Sequence, residues 1–312
     1  MSDSHSHSYV YDYDYDYDVL VIGSANADLT VRVARRPGPG ETVLGTDLVE
    51  SAGGKGANQA AAAARLGART ALLARVGDDA FGQLLLEAQH AAGTELRHVL
   101  VEKGARTGTA MIVVGPDGDN TIVVSPGANA RLSPADVRAA RELVAASTVV
   151  SLQLEIAPET VRTAVETAAE AGTRVVLNPS PAPETLDARL LTAADPLVVN
   201  EHEAGLLSGL PAGTPTDQAH ALRERGARSV VITLGAKGAL VLDTGAPVHV
   251  PGVKVEAVDT TGAGDAFTGA LALRLARGAT LEDAARFAVR VGAASVTRPG
   301  AQPSYPTAEE LA

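Results

Sequence analysis

Short apolar runs that end in polar or glycine-rich loops alternate with helix-forming segments along this chain, and that alternation narrows the folds open to it. Val19-Leu20-Val21-Ile22 stops at Gly23 and Ser24, which reads as a buried strand delivering a polar loop at its carboxyl end. The pattern predicts further strands over 70–75, 148–151, 174–178 and 197–199, and helices over 59–66, 79–92, 158–171 and 201–208. Uniformly apolar strands alternating with helices belong to a parallel sheet covered on both faces. The expected fold class is therefore α/β, with a mostly parallel central sheet flanked by helices. One segment departs from the pattern: the β-branched runs 109–114 and 121–124 flank Gly115-Pro116-Asp117-Gly118-Asp119, a hairpin signature. With the loop-rich stretch 28–50 it predicts a small, mostly antiparallel β element, which could serve as a lid, an oligomerisation surface or simply an edge hairpin.

Composition sets the remaining limits. The chain is 46% hydrophobic but only 3% aromatic, enough for a sizeable core of Ala, Val and Leu in a single domain over 19–312. Cysteine is absent, which excludes a disulfide framework, a thiolate metal site and a cysteine nucleophile. Residues 1–18 hold five of the six tyrosines and five acids without one Lys or Arg, and a short acidic terminus of this kind is expected to be a disordered tail. The tail accounts for five units of the formal charge of −11. A negative body without a cationic run argues against nucleic acid as a partner. No apolar run approaches the ~18–20 residues that span a bilayer, and the polar start does not resemble a signal peptide. A cytoplasmic protein with no membrane partner is expected.

The strongest local signal is Asp259-Thr260-Thr261-Gly262-Ala263-Gly264-Asp265, leading into a predicted helix. Small residues before a helix gather free N–H groups at its positive end, a cradle for anions. An acid there can be a simple helix cap. Beside the cradle it can instead take a proton from an attacking hydroxyl while the amides meet phosphoryl charge. Gly53-Gly54-Lys55-Gly56-Ala57-Asn58 is not a P-loop, since Gly56 stands where Ser or Thr is required. Its glycines still allow a ligand close to the backbone, and Lys55 and Asn58 can donate to hydroxyls. Asn26, Asp28, Glu155, Asn200 and Glu203 follow apolar strands, where ligands of open α/β sheets bind. The turn Thr233-Leu234-Gly235-Ala236-Lys237-Gly238 joins two further apolar runs and could cradle a nucleotide. Each of these also has an ordinary structural use as a turn or cap. The histidines lack metal-ligand spacing, and neither Gly-x-Ser-x-Gly nor His-Glu-x-x-His occurs, so serine hydrolysis and a zinc site have no support.

Taken in order, Gly-Ser-Ala-Asn-Ala-Asp at 23–28, Gly-Gly-Lys-Gly-Ala-Asn-Gln-Ala at 53–60, Gln-Leu-Glu at 153–155, Asn-x-x-Glu at 200–203, Thr-Leu-Gly-x-x-Gly at 233–238, Asp-Thr-x-Gly-Ala-Gly-Asp at 259–265 and Gly-Ala-Gln-Pro-Ser at 300–304 resemble the PfkB family of carbohydrate and nucleoside kinases over roughly 19–310. The resemblance implies that family's α/β fold, with a β-sheet lid formed by about 28–50 and 106–126 that closes over sugar and forms a homodimer interface. It implies ATP-dependent phosphorylation of D-ribose at the 5-hydroxyl, with Asp265 as general base and the amides of Gly262, Ala263 and Gly264 as anion hole. Asn26, Asp28, Gly54, Lys55, Asn58 and Glu155, together with Asp265, would hold the sugar. Asn200, Thr233, Leu234, Gly235, Ala236, Lys237, Gly238 and Gly264 would face ATP, and Glu203 would organise Mg²⁺ through water. An activating K⁺ would lie near Asp259, Thr261, Ser295, Arg298, Gly300 and Ser304, several of them contributing main-chain oxygens. Where family members often carry Asn or His facing adenine, this chain has Val289. A kinase of 2-deoxyribose, another sugar or a nucleoside is the main alternative, and the few aromatics outside the tail (Phe81, Phe267, Phe287 and Tyr305) weigh against a nucleoside acceptor. Retention of Asp265 and the Gly262–Gly264 cradle weighs against a catalytically silent sugar sensor.

Overall fold

The computed structural model describes residues 17–311, and the apolar run at its start accounts for the architecture. Val19, Leu20, Val21 and Ile22 are all buried, the odd-numbered pair in one core cluster and the even-numbered pair in another. A strand apolar on both faces must be covered on both. β1 (Tyr17–Ile22) accordingly lies inside a nine-stranded sheet. β2 (Asn26–Arg32) and β3 (Val49–Gly53) leave it for a second sheet, and α1 (Lys55–Arg65), β4 (Thr70–Gly77), α2 (Ala80–Ala92) and β5 (Val99–Glu102) return to it. The hairpin of β6 (Gly108–Val114) and β7 (Asn120–Ser125) is followed by α3 (Pro134–Ala139), α4 (Arg141–Ala145) and β8 (Ser147–Leu152). Alternation resumes with α5 (Pro158–Ala171), β9 (Arg174–Leu177), α6 (Ala188–Ala193), β10 (Ala194–Asn200), α7 (Glu201–Ser208), α8 (Pro215–Glu224) and β11 (Val230–Thr233). β12 (Gly238–Leu242), β13 (Val248–Pro251), α9 (Ala263–Ala276) and α10 (Leu281–Ser295) complete the order.

The large sheet runs β13-β12-β11-β10-β9-β8-β1-β4-β5, parallel from β11 to β5, with β12 and β13 antiparallel at one edge. Residues of α1, α2, α9 and α10 cover the Val19 and Val21 face, while residues of α3 to α8 cover the Leu20 and Ile22 face. The chain moves outward from β1 through β4 to β5, then resumes on the other side of β1 at β8. Strand order reverses there, and the crevice outside the carboxyl ends of β1 and β8 is where ligands of such sheets bind. The small sheet has the order β3-β2-β6-β7, with β2 and β6 parallel and both outer pairs antiparallel. Ala110, Ile112 and Val114 form its own small cluster, while β7 is exposed along its length.

Several boundaries shift by a few residues from the sequence reading, and two of the shifts have a clear physical cause. The helix expected over 59–66 begins at Lys55. Gly54, at φ 88°, turns the chain out of β3, and a Cβ on Gly56 would stand 2.6 Å from the Ser24 nitrogen, so only glycine lets this helix start against the loop after β1. Glycines that looked like loop residues thus permit an early helix start. The tail expected over 1–18 gives up its last two residues to β1, where Tyr17 is buried and Asp18 accepts the Arg69 amide at 2.9 Å. The rest of that expectation, 1–16, lies outside the described residues. Among the described residues no helix is long and apolar enough to cross a membrane.

Candidate active site

Polar side chains meet in the crevice beside β1. Glu155, just past β8, gathers three donors on Oε2: the Ser24 hydroxyl at 2.6 Å, the Lys55 amide at 3.1 Å and the Asn26 side-chain amide at 3.5 Å. Asn129 donates to Asn26 Oδ1 at 2.7 Å and clasps both backbone groups of Ala25, which fixes the loop from β1 to β2. Asp28, on β2, faces the same space. Burial, then the charges of Glu155 and Asp265, push its pKa up to about 7 against the pull of Lys55. Burial disfavours the Lys55 charge, yet Asp265, Glu155, Glu203 and Asp28 outweigh it and hold the ammonium above its ordinary pKa. Several carboxylates around one cation form a poor pocket for an anion and a good one for a neutral ligand rich in hydroxyls.

Asp265 lies in the first turn of α9 and is buried. Asn58 donates to its Oδ2 at 3.0 Å and Gln59 to its Oδ1 at 3.1 Å. Desolvation raises its pKa, and Lys55, Asn58 and Gln59 oppose that rise. Just before it, Gly262 has φ 72°, and its carbonyl accepts the hydroxyl of the fully buried Tyr305 at 3.0 Å. The Ala263 amide donates to the Thr260 carbonyl at 3.2 Å. Those of Gly262 and Gly264 make no hydrogen bond among the described residues, and they stand at the positive end of a 14-residue helix.

Gly264 also borders a cavity of about 400 Å³ on the other side of the α9 start, walled by Val253, Val255, Phe267, Val289 and Val296 and floored by the turn after β11. Of that turn's expected contacts, Thr233, Gly235, Ala236 and Gly238 line the cavity. Leu234 packs into the core, and Lys237 extends outward with its ammonium 3.8 Å from Glu201. Asn200 and Glu203 cap α7 reciprocally, at 2.8 and 2.9 Å. Gly53 and Gly54 carry the chain from β3 into the Lys55 helix.

In the loop before α9, Asp259 accepts the Thr261 amide and hydroxyl at 2.9 and 2.7 Å and the Gly300 amide at 2.8 Å. Burial acts against its charge, but those hydrogen bonds hold its pKa below the ordinary value. Ser295 and Ser304 donate to the carbonyls of Gly292 and Ala301, whereas Arg298 turns away to pair with Glu310 at 3.0 Å. With the Arg298 guanidinium turned away and only its carbonyl left to contribute, the expected cation ligands offer only oxygen, a donor set suited to a hard cation.

Sequence reading assigned no role to Ser24, Gln59, Asn129, Asn178 or Gln302, all of which the structure ties into this site. Asn178 carried a usable signal, because it follows an apolar strand just as Asn200 does. Asn129 carried none; its place depends on the path of the chain after the hairpin.

Comparison with known proteins follows the same lines. The pfkB family carbohydrate kinase profile matches residues 16–308. A ribokinase from Mus musculus is 40% identical over 299 residues, covering 93% of this chain and 92% of its own. A deoxyribokinase from Salmonella typhi is 38% identical, covering 93% and 96%. The structure of Arabidopsis thaliana ribokinase complexed with ribose and ATP superimposes with a TM-score of 0.87 at 33% identity, covering 95% of this chain and 98% of that one.

Proposed function

Because the chain belongs to the pfkB family of carbohydrate kinases, we propose that it transfers the γ-phosphoryl group of ATP to the 5-hydroxyl of D-ribose, giving D-ribose 5-phosphate. The observation that carries this reading is the position of Asp265, a buried carboxylate between a hydroxyl-binding crevice and the amide-lined mouth of an apolar cavity. Asn26, Asp28, Gly54, Lys55, Asn58 and Glu155 hold the sugar. The purine lies along Val253, Val255 and Val289, with the phosphates running toward Gly262 and Gly264. Asp265 accepts the proton of the 5-hydroxyl as that oxygen attacks the γ-phosphorus. The free amides at the start of α9 meet the charge that develops on the phosphoryl oxygens. Ala263, already bonded to Thr260, contributes less than its two neighbours unless that long bond opens.

Mg²⁺ bound with ATP neutralises phosphate charge, and Glu203 would hold it through water. One of its carboxylate oxygens is used in the α7 cap, while the other has no hydrogen-bond partner among the described residues. K⁺ would be held by oxygens of the Asp259–Thr261 and Ser295–Ser304 segments. The small sheet acts as a lid and joins two copies into a dimer, supported by its uncovered apolar residues Ile122 and Val124. We place this reaction in the cytoplasm, where ATP is at hand.

Asp265→Asn should lower kcat by about 10²-fold or more while the fold and the sugar KM stay close to wild type. Near-normal turnover in that variant overturns the role of Asp265. The deoxyribokinase relative keeps 2-deoxyribose as the second reading. Coupled measurement of ADP release with ribose, 2-deoxyribose, hexoses and nucleosides, each with and without K⁺, separates the acceptors. The expected result is the highest kcat/KM on ribose, raised by K⁺.

A further inference from the structure

Two chains of amide side chains, buried except for the half-buried Asn178, converge on Asp265, and each ends on a main-chain carbonyl that can only accept. In the first, Gln89 of α2 donates to the Ala57 carbonyl at 2.8 Å and to Gln302 Oε1 at 3.1 Å, while its own oxygen accepts from Thr94 at 2.9 Å. Gln302 then donates to Asn58 Oδ1 at 3.0 Å, and Asn58 donates to Asp265 Oδ2. In the second, Asn178 donates to the Val198 carbonyl at 2.9 Å, which turns its oxygen toward Gln59 Nε2 at 3.3 Å. That Gln59 nitrogen also serves Asp265 Oδ1, and the Gln59 oxygen accepts from Ser151 and Gln153.

An amide has one donating and one accepting end. Once the last amide in each chain is fixed by a carbonyl, every orientation up to Asp265 follows. Gln59, Gln89, Gln302, Asn58 and Asp265 are all buried, where an inverted amide would set oxygen against oxygen without water to relieve it. One donor on each carboxylate oxygen fixes the carboxylate plane and leaves the remaining lone pairs for a hydroxyl.

We propose that Gln59, and Gln302 acting through Asn58, are positioning residues for phosphoryl transfer: a two-armed amide clamp, polarised from the Ala57 and Val198 carbonyls, that orients the Asp265 carboxylate toward the sugar hydroxyl. The proposal rests on the kinase reading above. Gln89 belongs to the clamp although it lies two amides away from the reacting atoms.

The test uses the full-length enzyme with ribose and MgATP. Gln59→Met and Gln302→Met remove a donor at similar side-chain volume, whereas Gln302→Glu replaces the donor to Asn58 with an acceptor and drives that amide to turn its oxygen on Asp265. Gln89→Met repeats the test farther from the sugar, should a nearer variant fail to fold. The titratable groups facing Asp265 are Lys55 on α1, Asp28 on β2, Glu155 after β8 and the neutral Tyr305. All are retained, and the Met variants add no charge, so the acid limb is compared among wild type and the Met variants and Gln302→Glu is read by kcat alone. Loss of a donor raises the carboxylate pKa, so the acid limb of kcat should move upward by about half to one pH unit. kcat should fall about tenfold or more in Gln302→Glu, further than in Gln302→Met, with the ribose KM of Gln59→Met unchanged. The proposal is overturned if folded Met variants keep the wild-type acid limb and Gln302→Glu loses no more kcat than Gln302→Met. Absence of ribose kinase activity in the wild type, or full activity in Asp265→Asn, would instead defeat the functional reading itself.

Discussion

Asp28 shows how the crevice trades stability for binding. With its pKa raised to about 7 from a usual value of 3.8, the folded protein binds this proton more tightly than the unfolded chain does. The contribution of Asp28 to stability is therefore fully present below about pH 4 and lost as pH rises through about 7. Asp28→Asn removes a carboxyl that burial and two neighbouring carboxylates disfavour when charged. Without sugar, the variant should melt higher than wild type by a margin that is larger at pH 8 than at pH 5 in scanning calorimetry, while calorimetric titration shows weaker ribose binding. An equal margin at both pH values would mean that the Asp28 charge is not what strains the empty crevice. Stability surrendered at a binding site is the usual trade. The same residue marks how far the site could be read from sequence: Asp28, Glu155 and Asp265 stood out because each follows an apolar strand or a small-residue turn. Gln59 and Gln302 lay inside recognised motifs without an assigned role, since polarity passed between amides depends on contacts 119 to 244 residues apart along the chain.

At the level of elements, α1 and α9 carry Asn58, Gln59 and Asp265, and the distance between them sets the clamp. They pack closely at Gly269, where a Cβ would lie 2.5 Å from the Gln59 carbonyl oxygen and 2.9 Å from the Ala62 methyl. Helix backbone cannot yield as a flexible side chain can, so Gly269→Ala should push the two helices apart. Overpacking of this kind costs about 1–3 kcal/mol, and the displacement falls at the residue that bonds Asp265. The expected outcome is a lower melting temperature together with a fall in kcat larger than any change in the ribose KM. Unchanged kcat in a destabilised protein would show that the clamp tolerates helix movement. Helices α5 and α7 were legible to the residue because proline or asparagine starts them and an αL glycine ends them. The hairpin of β6 and β7 was legible from its turn. The start of α1 was not, because its glycines answer to the approach of another loop. Short α3 and α4 and the edge strand β5 gave too few periodic positions to be recognised.

For the whole molecule, the sequence separated a sheet covered on both faces from a projecting β element. What it could not supply was the register that decides which face of the small sheet carries which residues. Ala110 pairs with Asp28 on one side and with Val124 on the other, and Ile112 pairs with Thr30 and Ile122. Paired residues share a face, so Ile122 and Val124, 54% and 44% exposed, lie on the same face as Asp28, which lines the crevice. Apolar side chains left open beside a binding crevice call for a cover. In the proposed dimer the partner's lid supplies it, and closure over sugar and association become linked because both use one face. Ile122→Glu places a charge in that contact without touching the central sheet or the clamp. Sedimentation velocity should show the wild type as a dimer and the variant as a monomer, with a raised ribose KM and a kcat at saturation much closer to wild type. A monomeric wild type, or a variant that stays dimeric with an unaltered KM, would detach the lid from both roles.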